Sequence, residues 1–221
     1  MKGTKIKLSA HELAIAQDAD LILTKNEIIQ KTIFLFSDVA ESMREELQKC
    51  KFPGEVKLTD PKISKGENYK GLPYVMLDYP RLFGQENIFA IRTLFWWGNY
   101  FSTTLHLKGI YREMFADIIK CNISFLEKEN FQICISSDEW EHEHNQENYV
   151  SLSCITENDY DDMISKKKFL KISVITALSQ WDNAADLLIR SFKNLLRSIS
   201  FNFPNDEEDL SPDSSTAGSD L

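Results

Sequence analysis

Glycine and proline are scarce in this chain, with eight and six residues among 221, which argues against a fibrous or loop-rich architecture. The four cysteines are far apart and form no Cys-x-x-Cys pair, a pattern typical of a reduced, cytoplasmic protein. No apolar run reaches the length of a membrane span, and no apolar stretch of a secretory leader follows Met1. We therefore expect a soluble protein without membrane association.

The chain also lacks an excess of basic residues. Its formal net charge is −9, and six acids without a base lie in the last sixteen residues, which leaves −3 for the rest. We therefore expect no nucleic-acid partner, because such binding depends on neutralising phosphates. The length of the chain predicts a single domain, over residues 1–203. The acidic composition of residues 204–221 predicts a disordered tail.

Motifs of covalent catalysis are missing as well. The chain contains no Gly-x-Ser-x-Gly sequence, no phosphate-binding P-loop and no cysteine placed beside a histidine. The sequence thus predicts no catalytic residue, no cofactor and no metal ligand. Whether the protein is an enzyme stays open at this point, with the weaker expectation that it is not.

Capping signals and apolar periodicity predict an N-terminal helical pair. Ser9 with Glu12 opens a helix that runs to about Leu23, and Thr24 with Glu27 opens a second one. We expect the second helix to pack inside the fold. The alternative is that its apolar stripe forms the seam of a dimer. Its apolar stripe steps by four and three residues: Ile29, Ile33, Phe36, Ala40, Met43, Leu47 and Cys50.

Period-two patterns predict about six strands, after a surface loop at residues 51–71. Helices are expected at residues 111–120, after Thr156 and after Ser179. Because strands come in runs rather than alternating with helices, the fold class is α+β. We expect a mainly antiparallel sheet with two further main helices packed on it. The strands are predicted at residues 72–79, 88–97, 100–108, 131–136, 149–155 and 169–177.

Two blocks of sequence carry a resemblance. Residues 62–69, which lead into residues 72–80, and the aromatic stretch at residues 95–102 resemble an uncharacterised family of bacterial hypothetical proteins. The resemblance implies a bacterial, soluble, single-domain protein. It implies no activity, cofactor or partner.

The candidate site is an aromatic-rich hairpin around Gly98. A two-residue turn would put Arg92 and His106 on opposite faces, whereas a three-residue turn would bring them together near Asp78. The functional interpretation is a sheet face that binds a small molecule or a peptide, and the alternative is a set of core aromatics under helices. The predicted ligand-binding residues are Tyr74, Asp78, Arg92, Trp96, Tyr100 and His106.

Two other functions stay open. His142 and His144 share a face in an extended segment and would suit a metal-assisted hydrolase, although a solvated loop is the favoured interpretation of residues 137–148. The helix at residues 29–50 would bind a partner chain in an adaptor or assembly protein. The sequence does not fix the oligomeric state.

Overall fold

A computed structural model describes residues 6–53, 56 and 59–200 of the chain. This part contains six α-helices and one seven-stranded antiparallel sheet. The α+β class with an N-terminal helical pair is therefore confirmed. The predicted acidic tail and the predicted domain end at residue 203 lie outside the described residues.

The elements are as follows. The helices are α1 (Ala10–Gln17), α2 (Ala19–Gln48), α3 (Ile110–Cys121), α4 (Ile123–Lys128), α5 (Glu157–Lys166) and α6 (Ala184–Ile199). The strands are β1 (Lys62–Tyr69), β2 (Leu72–Phe83), β3 (Ile88–Trp96), β4 (Tyr100–Lys108), β5 (Gln132–Cys134), β6 (Tyr149–Ser151) and β7 (Phe169–Ala177). Their order in the sheet is β1-β2-β3-β4-β7-β5-β6. No helix among the described residues has both the length and the hydropathy to cross a bilayer.

One face of the sheet, here called the helix face, carries the apolar core. Helices α2, α3 and α6 pack on it, and α2 contacts both α6 and β2. The predicted stripe of α2 is thus used inside the chain, because most of it is buried there. The strand side chains of this core are Val75, Leu77, Phe89, Ile91, Phe95, Phe101, Leu105, Leu107, Leu170 and Ile172.

The break between the first two helices falls earlier than predicted. Asp18 caps α2, with its Oδ1 accepting a hydrogen bond from the Leu21 amide at 3.1 Å, and α2 continues through Thr24 without interruption. The prediction of a new helix at Thr24 is therefore wrong. Once α2 has started at Ala19, each further residue adds a helical hydrogen bond, so the later capping signal has no free amide to satisfy.

The N-terminal arm, defined here as residues 6–23, exposes apolar side chains. No residue of α1 is buried, and the buried residues of α2 begin only at Ile29. Exposed apolar surface of this extent is typical of interaction sites. The large apolar residues exposed on the arm are Ile6, Leu8, Leu13, Ile15, Leu21, Ile22 and Leu23.

Strand β1 replaces part of the predicted surface loop at residues 51–71. It pairs antiparallel with β2 and forms one edge of the sheet. An edge strand is solvated on its outer side and favours charged side chains, so no apolar alternation marks it in the sequence. The sheet accordingly has seven strands rather than about six.

The turn between β3 and β4 contains three residues. Trp96 pairs directly with Tyr100, and Gly98, in the middle of the turn, has a φ of 73°. A residue in this left-handed region is typical of three-residue hairpin loops, and glycine adopts it without strain. The resulting register places Arg92 and His106 on the same face of the sheet.

Two phenylalanines on α2 provide a matched test of this packing. Phe36 is 0% exposed and its ring lies 6.3 Å from that of Phe101, whereas Phe34 is 62% exposed. Phe36→Ala should lower the free energy of unfolding by about 3–5 kcal/mol, because it leaves a cavity in the core. Phe34→Ala should change it by less than about 0.5 kcal/mol. Urea unfolding measures both, and equal losses would contradict the assignment of the buried face.

Candidate functional site

The second face of the sheet, here called the polar face, is covered by the chain itself. Residues 135–148, here called the covering segment, connect β5 to β6 and lie over this face. The expectation of a solvated loop holds only in part: residues 145–147 are exposed, but His142 is only 5% exposed. The polar face carries Asp78, Arg92, Thr104, His106, Lys171 and Ser173, of which Arg92, His106, Lys171 and Ser173 contact the covering segment.

Four side chains from the sheet bind the backbone of residues 141–144: Tyr69, Tyr100, Tyr149 and Lys171. Tyr100 does so twice, donating to the carbonyl of residue 142 at 3.2 Å and accepting from the amide of residue 144 at 2.7 Å. Tyr69 accepts from the amide of residue 142 at 2.8 Å. Tyr149 donates to the carbonyl of residue 141 at 3.2 Å, and Lys171 donates to the same carbonyl. The sheet thus fixes the position of the covering segment.

Arg92 joins the sheet to the covering segment. Its Nε and Nη2 donate to the two carboxylate oxygens of Asp78 at 2.7 and 3.0 Å, a bidentate pair. Its Nη1 lies 3.0 Å from Nε2 of His142. Arginine has no acceptor atom, so Nε2 accepts this hydrogen bond and the neutral ring carries its proton on Nδ1.

His144 ends a chain of hydrogen bonds that crosses three strands. Its Nδ1 donates to Oε1 of Gln132 at 2.7 Å, so its Nε2 accepts from Oγ of Ser173 at 3.0 Å. Ser173 in turn accepts from the Thr104 hydroxyl at 2.6 Å. The His144 ring stacks on Tyr149 with the centroids 4.0 Å apart. Both nitrogens of this ring are therefore in use.

The histidines of the polar face, two of them buried and one half-buried, are neutral at neutral pH. Burial, and next the positive charge of Lys171, lowers the pKa of both His106 and His144 to about 3. Burial also lowers the pKa of His142 well below its ordinary value. Each ring would have to gain a charge in a largely buried environment, which opposes protonation.

Glu139 of the covering segment stands between two parts of the polar face. Its Oε1 accepts a hydrogen bond from Lys108 at 2.9 Å, and its Oε2 lies 3.4 Å from Nε2 of His106. Neither Oε2 of Glu139 nor Nε2 of His106 has a hydrogen-bond partner among the described residues. On the His106 side of Glu139 lies a small cavity, and on the Lys108 side lies an open pocket.

The small cavity, here called the inner cavity, lies next to His106. Its volume is about 10 Å³, roughly the space of one water molecule. Phe83 and Ala90 form its apolar part. Its polar lining consists of Arg92, Thr104, His106, His142 and Lys171.

Lys171 is the most unusual residue of this cavity. It is 1% exposed, and its ammonium donates to a backbone carbonyl rather than to a carboxylate. Burial lowers its pKa to about 8, because the charged form loses its hydration. The sequence contains one signal for the burial of Lys171: it lies between Leu170 and Ile172, in the middle of an apolar strand.

The open pocket, here called the outer pocket, lies at the other side of Glu139. Its volume is about 370 Å³. Ile135, Ser137 and Phe169 contribute to its wall, and Glu139 is its single acid. Its four lysines are Lys108, Lys166, Lys167 and Lys168.

All six residues predicted to bind a ligand lie on the polar face, but they do different things there. Arg92 and His106 line the inner cavity, and Asp78 holds Arg92. None of the six lines the outer pocket. The six are Tyr74, Asp78, Arg92, Trp96, Tyr100 and His106.

The three aromatic members of this set make structural contacts. Trp96 Nε1 donates to the Tyr69 carbonyl at 3.3 Å, and Tyr100 holds the covering segment. The Tyr74 ring crosses Gly66 of β1 at a place where a side chain would collide with it. Ligand binding by these residues stays a prediction.

The histidines considered for a metal are already engaged. His142 is bound by Arg92 and His144 by two side chains, so a metal would have to displace these partners. The described part of the chain contains no group of three or more histidine, cysteine, aspartate or glutamate residues that could hold a metal ion.

Comparison with known proteins adds no relative: no family model, no curated protein and no solved structure matches this chain. The resemblance to a bacterial family thus stays a prediction. The case for a function has to come from the geometry of the polar face.

The three histidines of the polar face make stability dependent on pH. They are neutral in the folded protein but bind protons below pH 6.5 in the unfolded chain, so the unfolded state gains protons first. Each should remove about 1.4 kcal/mol of stability per pH unit as the pH falls below 6.5. Urea unfolding at pH 7.5 and 5.5 should show this loss, and His142→Gln should reduce it by about a third.

The exposed His11 of α1 supplies the matched control. His11→Gln should leave the difference between the two pH values unchanged. Equal stability of the wild-type chain at pH 7.5 and 5.5 would show that these rings are not held neutral.

Proposed function

We propose that this is a binding protein for a small organic anion, which occupies the outer pocket. The observation that carries the proposal is the lining of that pocket, with four lysines, one glutamate and an apolar wall. A volume of about 370 Å³ falls within the range of pockets for small molecules. The proposal keeps the expectation of a binding protein and moves its site to the end of the polar face formed by Lys108 and Phe169, which pair across β4 and β7.

The lysines of this pocket are not equally free to meet a ligand. Lys166 pairs with Asp162 at 2.5 Å, and Lys167 donates to the carbonyls of Cys134 and Ser136. Lys168 is exposed and forms no ion pair within the described part of the chain. Lys168 is thus the cation best placed to bind a carboxylate or phosphate.

Lys108 and Glu139 form the second polar element of the pocket. The Lys108 ammonium, buried for most of its surface, is held at 2.9 Å by the Glu139 carboxylate. A bound anion would share Lys108 with Glu139. Ile135 and Phe169 would contact the apolar body of the ligand, so the pocket favours an anion with a carbon skeleton over a bare inorganic ion.

The test is calorimetric titration of the full chain with three probes: inorganic phosphate, citrate and adenosine monophosphate. At least one organic probe should bind, and more tightly than phosphate. Lys168→Gln should weaken that binding about tenfold, the effect of losing roughly 1.4 kcal/mol of charge-assisted hydrogen bonding.

Lys62→Gln is the matched control, because Lys62 is an exposed lysine on β1 at the far edge of the sheet. It should bind the probe like the wild-type chain. No heat with any probe, or the same weakening in both variants, would refute the outer pocket as the binding site.

A second candidate function is self-assembly through the N-terminal arm. Seven large apolar side chains are exposed there, and the core of the same chain does not use them. A second copy of the chain would supply an identical apolar arm, and such self-complementary surfaces form two-fold dimers. This surface differs from the predicted one at residues 29–50, where Phe36, Met43 and Leu47 are buried inside the fold.

Light scattering on the full chain tests this candidate. We expect a dimer, and the double variant Leu21→Asp/Leu23→Asp should be a monomer, because charges in an apolar interface are costly. The folded core should keep its unfolding midpoint in the variant, since both side chains are exposed. A wild-type chain that is monomeric at high concentration would eliminate the candidate.

A further inference from the structure

The outer pocket carries a surplus of positive charge. Four lysines line it, whereas Glu139 is the single acid in its lining. Carboxylates pair with two of the lysines, Lys108 and Lys166. Lys167 is bound by two carbonyl oxygens instead, and Lys168 forms no ion pair within the described residues. The described part of the chain thus places no carboxylate at ion-pair distance from Lys167 or Lys168.

The C-terminal sequence of the same chain supplies the opposite charge. Residues 206–210, here called the acidic segment, read Asp-Glu-Glu-Asp-Leu, and none of the last sixteen residues is basic. Four carboxylates beside one leucine match the chemistry of the pocket. The carboxylates suit its lysines, and the leucine suits the apolar wall formed by Ile135 and Phe169.

The acidic segment is close enough to reach the pocket. It begins six residues after Ser200, the last described residue. Near the end of α6, the carbonyl of Ser198 accepts a hydrogen bond from Asn122, which follows α3, at 3.5 Å. At the other end of α3, Arg112 donates to the carbonyl of Lys167 in the pocket lining.

The ten residues of α3 between these two contacts correspond to about 15 Å of helix. An extended chain of six to ten residues spans about 20–35 Å. The connection from α6 to the acidic segment is therefore long enough for the segment to enter the outer pocket without any change in the described fold.

The covalent connection makes a weak contact sufficient. Ion pairs between exposed side chains are individually weak, but a short connecting chain holds the two partners at an effective concentration of about 1 mM. A contact with a dissociation constant of about 1 mM would then fill the pocket about half of the time.

We propose that the acidic segment binds in the outer pocket of its own chain and competes there with the small organic anion. The inference rests on the proposed function, because it assigns a regulation to the same pocket. The bound segment would place a carboxylate at Lys168 and its leucine against the apolar wall. The ligand binds only to molecules whose pocket is empty, so its apparent affinity falls in proportion to the filled fraction.

Carbodiimide cross-linking of the full chain, followed by peptide mass spectrometry, tests the contact. The reagent activates a carboxylate, and a lysine amine in contact with it then forms an amide. We expect the acidic segment to be joined to Lys168 rather than to Lys128, an exposed lysine beside α6 and outside the outer pocket. The links should be lost in 1 M sodium chloride, where the screening length is about 3 Å. Equal linking of the two lysines, or links that persist in this salt, would overturn the proposal.

Titration calorimetry with citrate and adenosine monophosphate tests the competition. The double variant Glu207→Gln/Glu208→Gln should bind the organic probe about two- to fivefold more tightly than the wild-type chain, because a weakened segment leaves the pocket empty more often. The control Asp213→Asn/Asp220→Asn removes the same number of charges from outside the acidic segment. It should bind the probe like the wild-type chain. Equal tightening in both variants would indicate a general effect of net charge and would refute the competition.

The two proposals fail separately. If neither probe binds to any of these chains, the proposed function fails, and the cross-link alone determines whether the acidic segment contacts the pocket. If a probe binds with the same affinity to the Glu207→Gln/Glu208→Gln variant and to the wild-type chain, the proposed function stands and the competition is refuted.

Discussion

The ammonium of Lys171 has to be solvated by the protein itself, because almost none of the residue reaches water. The covering segment supplies that solvation through a backbone carbonyl, and three tyrosines of the sheet bind the same stretch of backbone. Without this contact the polar face would present paired and unpaired charges to solvent instead of enclosing them. The neutral histidines, the inner cavity and the wall of the outer pocket all depend on the segment remaining in place.

Much of the fold follows from local patterns in the sequence. The helix face is predictable because apolar residues alternate along β4 and β7, and because the stripe on α2 has a helical period. The six candidate residues share one face for the same reason. Whether Arg92 lies on the same face as His106 depends on the length of the turn between β3 and β4, and the sequence Gly98-Asn99 suits both lengths. That choice is made by the pairing of the whole hairpin, a non-local property.

The cover of the polar face could not be predicted in the same way. Residues 135–148 are rich in acids and histidines, a composition typical of a solvated loop, and their partners lie far away in the sequence. A polar side chain becomes buried when distant groups satisfy its hydrogen bonds, and no local pattern contains that information. The outer pocket could not be predicted from the sequence for a related reason: its lysines come from β4 and from the junction of α5 with β7.

Strand β1 also decides how the molecule can meet its neighbours. It forms one outer edge of the sheet, where Lys62, Lys65 and Glu67 are exposed, and the opposite edge, β6, is only three residues long. Charged or very short edge strands are poor templates for the addition of a foreign strand. The two edges therefore oppose strand pairing between molecules, the contact from which fibrillar aggregates are built. Contacts between molecules are left to the helices and loops.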